Sequence, residues 1–198
     1  MKNLKIVEIF ESIQGEGANA GMLAIFIRLS FCNKNCWYCD TKWNEGKEMS
    51  INEIKGILSG FKSKTIIWTG GEPTIQLTEE ILTHFKEYYN CIETNGTNHV
   101  PKGINYISCS PKVTVDELNI NFPNGLDEIR YPVSKETIIP NIKDLPKAKH
   151  YFLSPVFLGK QNERFAINKN NIKKCINLIK NQSSWKMSIQ MHKLLKIR

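Results

Sequence analysis

Cys32, Cys36 and Cys39 stand in a C-x-x-x-C-x-x-C run, Cys32-Asn-Lys-Asn-Cys36-Trp-Tyr-Cys39, directly after an apolar segment. Three thiolates this close can hold three irons of a cubane, and because such a cluster normally takes four cysteines, one iron stays open to an outside ligand. A structural zinc site also uses paired cysteines, but it needs a fourth closed ligand. The sequence offers no second C-x-x-C and no suitably placed His pair. A second segment with chemical character is Thr69-Gly70-Gly71-Glu72-Pro73. Its glycines permit close backbone approach, and a carboxylate at a strand end can accept bonds from a cation. Alone, the glycine pair would be only a turn signal.

The elements that must carry these groups follow from pattern. Residues 23–29 (LAIFIRL) form a nearly continuous apolar run, as expected of a strand buried on both faces of a parallel sheet. Ser50 and Glu53 make a capping box, after which Ile54, Ile57, Leu58 and Phe61 recur at helical spacing. Residues 65–68 make the next strand. Thr78 caps a helix with Glu79 and Glu80 in its first turn and Ile81, Leu82, Phe85, Tyr88 and Tyr89 on its buried face. Short strands recur at 91–94, 104–109, 126–131, 151–153 and 186–189. A helix carrying Ile172, Cys175, Ile176 and Ile179 on one face lies between the last two. Residues 133–149 read as a long surface connection. Cys91, Cys109 and Cys175 read as core residues.

Strands alternating with helices predict an α/β fold with a mostly parallel sheet and right-handed connections. A closed eight-stranded barrel takes about 250 residues, so 198 residues predict an incomplete β/α barrel whose strand ends face one mouth. The length favours a single catalytic domain over residues 1–198. No apolar run approaches the roughly 20 residues that span a bilayer, and charge interrupts the start before a signal-peptide core can build, so a cytoplasmic protein is expected. Net charge is +8, but the lysines are scattered without a basic stripe, which speaks for a solvated surface and against a nucleic-acid-binding domain.

The cysteine spacing closely resembles that of the radical S-adenosylmethionine superfamily, and the Gly70-Gly71-Glu72 turn resembles the superfamily element that holds the methionyl amino group. In that superfamily S-adenosylmethionine chelates the open iron, and one electron from the 4Fe-4S cluster splits it to a 5′-deoxyadenosyl radical. Further segments resemble the 7-carboxy-7-deazaguanine synthase family across essentially the whole chain. They are residues 8–17 (EIFESIQGEG), 26–29 leading into Cys32, Cys39-Asp40-Thr41, 93–97 (ETNGT), 109–112 (CSPK) and 188–193 (SIQMHK). The resemblance implies conversion of 6-carboxy-5,6,7,8-tetrahydropterin to 7-carboxy-7-deazaguanine by radical ring contraction with loss of ammonia. It also implies a homodimer, Mg²⁺ and a regenerated S-adenosylmethionine.

On that resemblance the substrate is bound by Ile13, Gln14, Gly15, Glu16, Arg28, Thr69, Gln190 and His192. S-adenosylmethionine is bound by Tyr38, Asp40, Gly71, Glu72, Ser110 and Lys112, and Mg²⁺ by Thr41. Catalysis rests on the cluster and the radical. Read as chemistry, Gln14 and Glu16 could match the donor and acceptor edge of a pterin or simply form a solvated turn. Arg28 interrupts an apolar strand, and its guanidinium needs an anion: the substrate carboxylate, or a structural partner in Glu8 or Glu16. Lys112 could bind the cofactor or be solvated, and Asn95 beside Gly96 could be turn chemistry alone. Leu153-Ser154-Pro155 departs from the family, which often has glutamine before the proline, and nothing is assigned to residues 113–117. Lys34 and Lys42 flank the cysteines, where an acidic flavodoxin-like electron donor would dock. A radical activase would share the cysteine loop and the glycine turn, but it would not require the loop at 14–17, Arg28 and the ending at 190–193.

Overall fold

The computed structural model describes residues 3–157 and 168–197. Its strands are β1 (Leu4–Ile13), β2 (Leu23–Leu29), β3 (Lys47–Met49), β4 (Thr65–Gly70), β5 (Tyr89–Thr94), β6 (Tyr106–Cys109), β7 (Leu126–Val133), β8 (Ala148–Pro155) and β9 (Lys186–Met187). They form one open sheet in the order β3-β1-β2-β4-β5-β6-β7-β8-β9. From β2 to β9 every neighbour is parallel, whereas β1 runs antiparallel to both β2 and β3. The expected incomplete barrel is therefore present, with one correction: β2 has a parallel neighbour on one side only.

Side chains alternate across the strands and so sort the residues into two faces. Ile25, Ile27 and Leu29 of β2, Ile66 and Trp68 of β4 and Ile92 of β5 face one apolar cluster with the helices α1 (Ile51–Leu58) and α2 (Glu79–Thr83). Ile129, Tyr131 and Val133 of β7 and Leu153 of β8 build a second cluster with α3 (Val115–Asn121) and α4 (Lys169–Asn181). The opposite face carries a small apolar floor of Ala24, Ile67 and Cys91, with Phe26 against it.

The helix signals hold where capping chemistry set them. Ser50 N donates to Glu53 Oε2 at 2.7 Å while Glu53 N returns to Ser50 Oγ at 3.3 Å, an arrangement worth on the order of 1 kcal/mol. Thr78 Oγ1 accepts from Ile81 N at 3.3 Å. The expected buried faces are too wide, however. Ile57 and Ile176 are 39% exposed, α2 ends at Thr83, and Tyr89 is an exposed first residue of β5. On α4 a polar residue takes an inward position: buried Asn171 donates to Val156 O at 2.8 Å. Residues 133–149 are not a surface connection throughout. Val133 is buried at the end of β7, Leu145 is buried, and Lys174 Nζ ties the stretch to α4 through the carbonyls of Ser134, Lys135 and Thr137. Cys91, Cys109 and Cys175 are buried, as expected. Among the described residues no helix is long and apolar enough to cross a membrane.

Candidate active site

Two residues beyond Phe26, Ile67 and Cys91 on the same sheet face come Arg28, Thr69 and Glu93, so the apolar floor gives way to polar groups at the C-terminal strand ends. A cavity of about 250 Å³ opens there, lined from successive strand ends by the three cysteines, Thr69, Gly70 and Gly71, Glu93 to Asn95, Ser110 and Lys112, Arg130 and Pro132, and Ser154 to Phe157. Glu16, Gln190 and Lys193 line it as well. Ligands bind at this end of parallel α/β sheets.

The cysteine loop leaves β2 through Phe31, which holds φ at +68°, a strained value for a bulky residue. What fixes it is the glycine turn: Gly71 N donates to Leu29 O at 2.9 Å and Glu72 N to Phe31 O at 2.8 Å. A Cβ on Gly71 would sit 1.7 Å from Phe31 O, so only glycine allows this approach. Cys39 N donates to Cys36 O at 3.0 Å, which closes a turn between the two cysteines. All three cysteines are free thiols on the cavity wall. Among the described residues no three Cys, His, Asp or Glu side chains converge as a single-ion site. Three thiols spread round a cavity mouth fit a cluster that presents separate irons. Burial, and then the neighbouring Cys36, raise the Tyr38 phenol well above its ordinary range.

Glu72 does not line the cavity. It is fully buried, and its carboxylate accepts from Thr74 N (3.1 Å), Thr74 Oγ1 (2.7 Å), Thr94 Oγ1 (2.8 Å) and Asn95 N (2.7 Å). It braces the turn after β5 against the turn after β4. Lys112 Nζ donates to Ser110 O at 2.8 Å and lies 5.6 Å from the Tyr38 ring centroid. Burial lowers its pKa.

The polar wall contains a cluster that sequence reading missed. Arg130, 6% exposed at its side chain, pairs with Glu93 Oε2, with Glu128 Oε1 and, at 3.8 Å, with Glu16 Oε1. Gln14 Nε2 donates to Glu93 Oε1 at 3.0 Å, and Gln14 Oε1 accepts from Gly15 N at 2.8 Å. Glu128 also accepts from Ala18 N at 2.9 Å and Tyr106 Oη at 3.1 Å, tying the 14–18 loop to β7. Burial pushes the Glu93 carboxyl up to about 7 against the pull of Arg130. The available signal was Asp127-Glu128-Ile129-Arg130: charges alternating inside a strand need partners on the face they share.

The helix α5 (Met191–Leu195) covers this wall. Met191 N donates to Gly15 O at 2.9 Å, and Lys193 Nζ pairs with Asp40 Oδ2 of the cysteine loop. His192 packs on Gly15, and burial lowers its pKa against the pull of Glu16, which favours the neutral ring. Of the expected substrate residues, Glu16, Thr69 and Gln190 line the cavity, whereas Ile13, Gln14, Gly15, Arg28 and His192 are not among its lining residues, and Ile13 is exposed. Arg28 Nε meets Glu8 Oε1 at 2.8 Å and its Nη1 reaches Thr41 Oγ1 at 3.2 Å, so the structural partner is Glu8, and Glu16 belongs to Arg130. At the departure from the family pattern, Ser154 lines the cavity, 3.1 Å from Glu16 Oε1.

Residues 26–166 match the Radical SAM superfamily. The chain is similar to the 7-carboxy-7-deazaguanine synthase of Haemophilus influenzae, 40% identical over 98% of this chain and 94% of that protein. It is similar also to that of Bacteroides thetaiotaomicron, 37% identical over 98% of each. In fold it is similar to the crystal structure of QueE from Escherichia coli, with a TM-score of 0.69 at 23% identity over 96% of this chain and 95% of that one.

Proposed function

The chain belongs to the 7-carboxy-7-deazaguanine synthase family of the Radical SAM superfamily, and on that premise we propose that it converts 6-carboxy-5,6,7,8-tetrahydropterin to 7-carboxy-7-deazaguanine by radical ring contraction with loss of ammonia, in queuosine and deazapurine biosynthesis. The observation that carries this reading is that one cavity is lined both by the three thiols with the glycine turn and by Glu16, Glu93 and Arg130. An iron-sulfur end and a hydrogen-bonding end share one space.

The superfamily's cofactors are a 4Fe-4S cluster and S-adenosylmethionine, and when bound they supply one-electron cleavage of the sulfonium and so the hydrogen-abstracting chemistry. Cys32, Cys36 and Cys39 hold the irons. The Gly71 backbone, Tyr38, Asp40, Ser110 and Lys112 bind S-adenosylmethionine, and Glu72 holds the turns that present them. For the substrate, Glu93 with its raised pKa and Gln14 behind it offer a carboxyl and an amide to a heterocycle's donor and acceptor edge. Thr69 and Gln190 flank it, while Ile13, Gly15 and His192 support the site from outside the lining. Arg28, already oriented by Glu8, directs its fork to the substrate carboxylate. Thr41 would offer its hydroxyl to Mg²⁺, and beside Arg28 such an ion would call for the negative charge that the substrate carboxylate supplies.

The whole chain acts as one catalytic domain, a reading supported by the meeting of residues 15 and 191 in one site. The reading also takes the enzyme as a cytoplasmic homodimer fed by a flavodoxin-like protein. Docking of that donor is supported by exposed Trp37 and Lys42 on the cysteine loop.

The test is anaerobic incubation of reconstituted protein with S-adenosylmethionine, a reductant and the carboxytetrahydropterin, followed by mass analysis. The deazaguanine acid is expected, and Cys36→Ala should neither cleave S-adenosylmethionine nor form product. Cleavage with the pterin left unchanged would overturn the substrate assignment while keeping the superfamily chemistry.

A further inference from the structure

Asn95 ends β5 in a turn and lies beside the first cysteine of the loop, with its Nδ2 3.9 Å from Cys32 Sγ and 2.9 Å from Asn33 Oδ1. An asparagine side chain has two ends of nearly equal shape, so its orientation has to come from its partners. Here the partners decide it. The backbone N–H of Thr97, which can only donate, points at Asn95 Oδ1 from 3.0 Å, and the Thr97 hydroxyl donates to the same oxygen at 2.7 Å. The oxygen end is therefore fixed away from the cysteine loop and the NH₂ end toward it. One hydrogen serves Asn33 and the other faces Cys32. The base of the side chain is held equally firmly, because Asn95 N donates to the buried Glu72 at 2.7 Å. Asn33 returns a bond from its Nδ2 to Thr97 Oγ1 at 2.8 Å, so the cysteine loop and the turn after β5 are stitched in both directions.

The geometry points to Asn95 as a hydrogen-bond donor to the sulfur of Cys32 that raises the reduction potential of the cluster held there. The inference rests on the reading that Cys32, Cys36 and Cys39 carry that cluster. Its physical basis is that reduction adds negative charge to the cluster and its ligating sulfurs. An N–H aimed at one of those sulfurs bonds the reduced form more strongly than the oxidised form and so favours electron uptake. Asn95 reaches the cluster only through its ligand Cys32, so it is a positioning and tuning residue.

The test uses full-length reconstituted protein, with the potential read by EPR-monitored redox titration in the absence of S-adenosylmethionine. Asn95→Ala is expected to disfavour reduction by about tenfold, which is about 59 mV for a one-electron couple. Asn95→Asp, which keeps the acceptor for Thr97 and replaces the donor with an anion, should lower the potential at least as far. Asn33→Ala leaves the Asn95 donor held by Thr97 and should stay at the wild-type value. A wild-type potential in Asn95→Ala at full iron content overturns the assignment, as does an equal shift in Asn33→Ala, which would make the stitch structural. A measurement on the unaltered sequence stands beside the variants: protein labelled with ¹⁵N only at asparagine Nδ2 should show ¹⁵N coupling to the reduced cluster in pulsed EPR. Absence of that coupling overturns the assignment even if the variants fail to hold iron. Loss of iron from the wild-type protein itself would instead undo the cluster reading.

Discussion

Gly15 and His192 are packed so closely that no side chain fits between them: a Cβ on Gly15 would fall 2.2 Å from His192 Nδ1 and 2.9 Å from His192 Cβ. The imidazole could swing aside, but its Cβ is fixed to the backbone of α5, so the helix itself would have to move.

Gly15→Ala should therefore displace α5 from the wall of the cavity. We expect a loss of about 1–3 kcal/mol in urea unfolding, as for an overpacked site, together with a raised KM for the pterin. Gly60→Ala is the control, since its added Cβ would meet only Ile57 O at an ordinary 3.5 Å. Equal behaviour of the two variants would mean that α5 does not bear on the substrate.

Arg130 is the cation that pairs with Glu16, Glu93 and Glu128 together. Arg130→Met keeps the volume but leaves the carboxylates facing one another in a buried wall, and a cost of about 3–5 kcal/mol is expected from denaturant titration. A loss below 1 kcal/mol would show that water already screens this cluster.

The same wall sets a pH dependence. Glu93 has a folded pKa near 7, above the ordinary 4.5, so the folded state holds this proton more tightly than the unfolded chain. Its contribution is fully present below about pH 4.5 and is lost as pH rises through 7. Urea midpoints at pH 5 and pH 8 should fall more for the wild type than for Glu93→Gln. The same fall in both proteins would place the titration elsewhere.

How much of this was legible in the sequence depends on how local each signal is. The box at Ser50 and Glu53 announces α1 because every contact lies within four residues. Thr114 and Glu117 form the same box on α3, yet only Leu118 of that helix is buried, so no apolar stripe drew attention to it. β1 has strand-like residues, but its register shifts between Ile6 and Glu8, and that irregularity breaks the alternation by which a strand is read. Cys32, Cys36 and Cys39 were legible because their spacing is itself the chemistry. The role of Glu72 was not, since its partners Thr94 and Asn95 come from the next strand of the sheet. Arg130 was legible only through Glu128, two residues away on the same strand, because its other carboxylates, Glu16 and Glu93, come from distant segments of the chain.

Lys193 pairs with Asp40 across the mouth, and since the Asp40 side chain is 54% exposed the pair is worth at most about 1 kcal/mol to stability. Its effect should fall on substrate retention. Lys193→Met is expected to raise the pterin KM several-fold with iron content unchanged. Raising ionic strength should do the same to the wild type and much less to the variant. A KM with the same salt response in both proteins would remove the pair from the site.

Thr41 separates two readings. Thr41→Ser keeps a hydroxyl for Arg28 and for Mg²⁺, whereas Thr41→Ala keeps neither. At saturating pterin, stimulation by Mg²⁺ should survive in the serine variant and largely vanish in the alanine variant. Identical Mg²⁺ responses in wild type and Thr41→Ala would leave the hydroxyl as a partner of Arg28 alone.

The bond from Met191 N to Gly15 O joins two segments separated by nearly the whole sequence, and so it fixes an order of events. On the ribosome, the cysteine loop and the strands beneath it emerge before α5 exists. The cavity then stays open on the side that α5 later covers until Met191–Leu195 has been made. Walling the cavity with a contact so distant in sequence makes late assembly of that side a property of the topology itself.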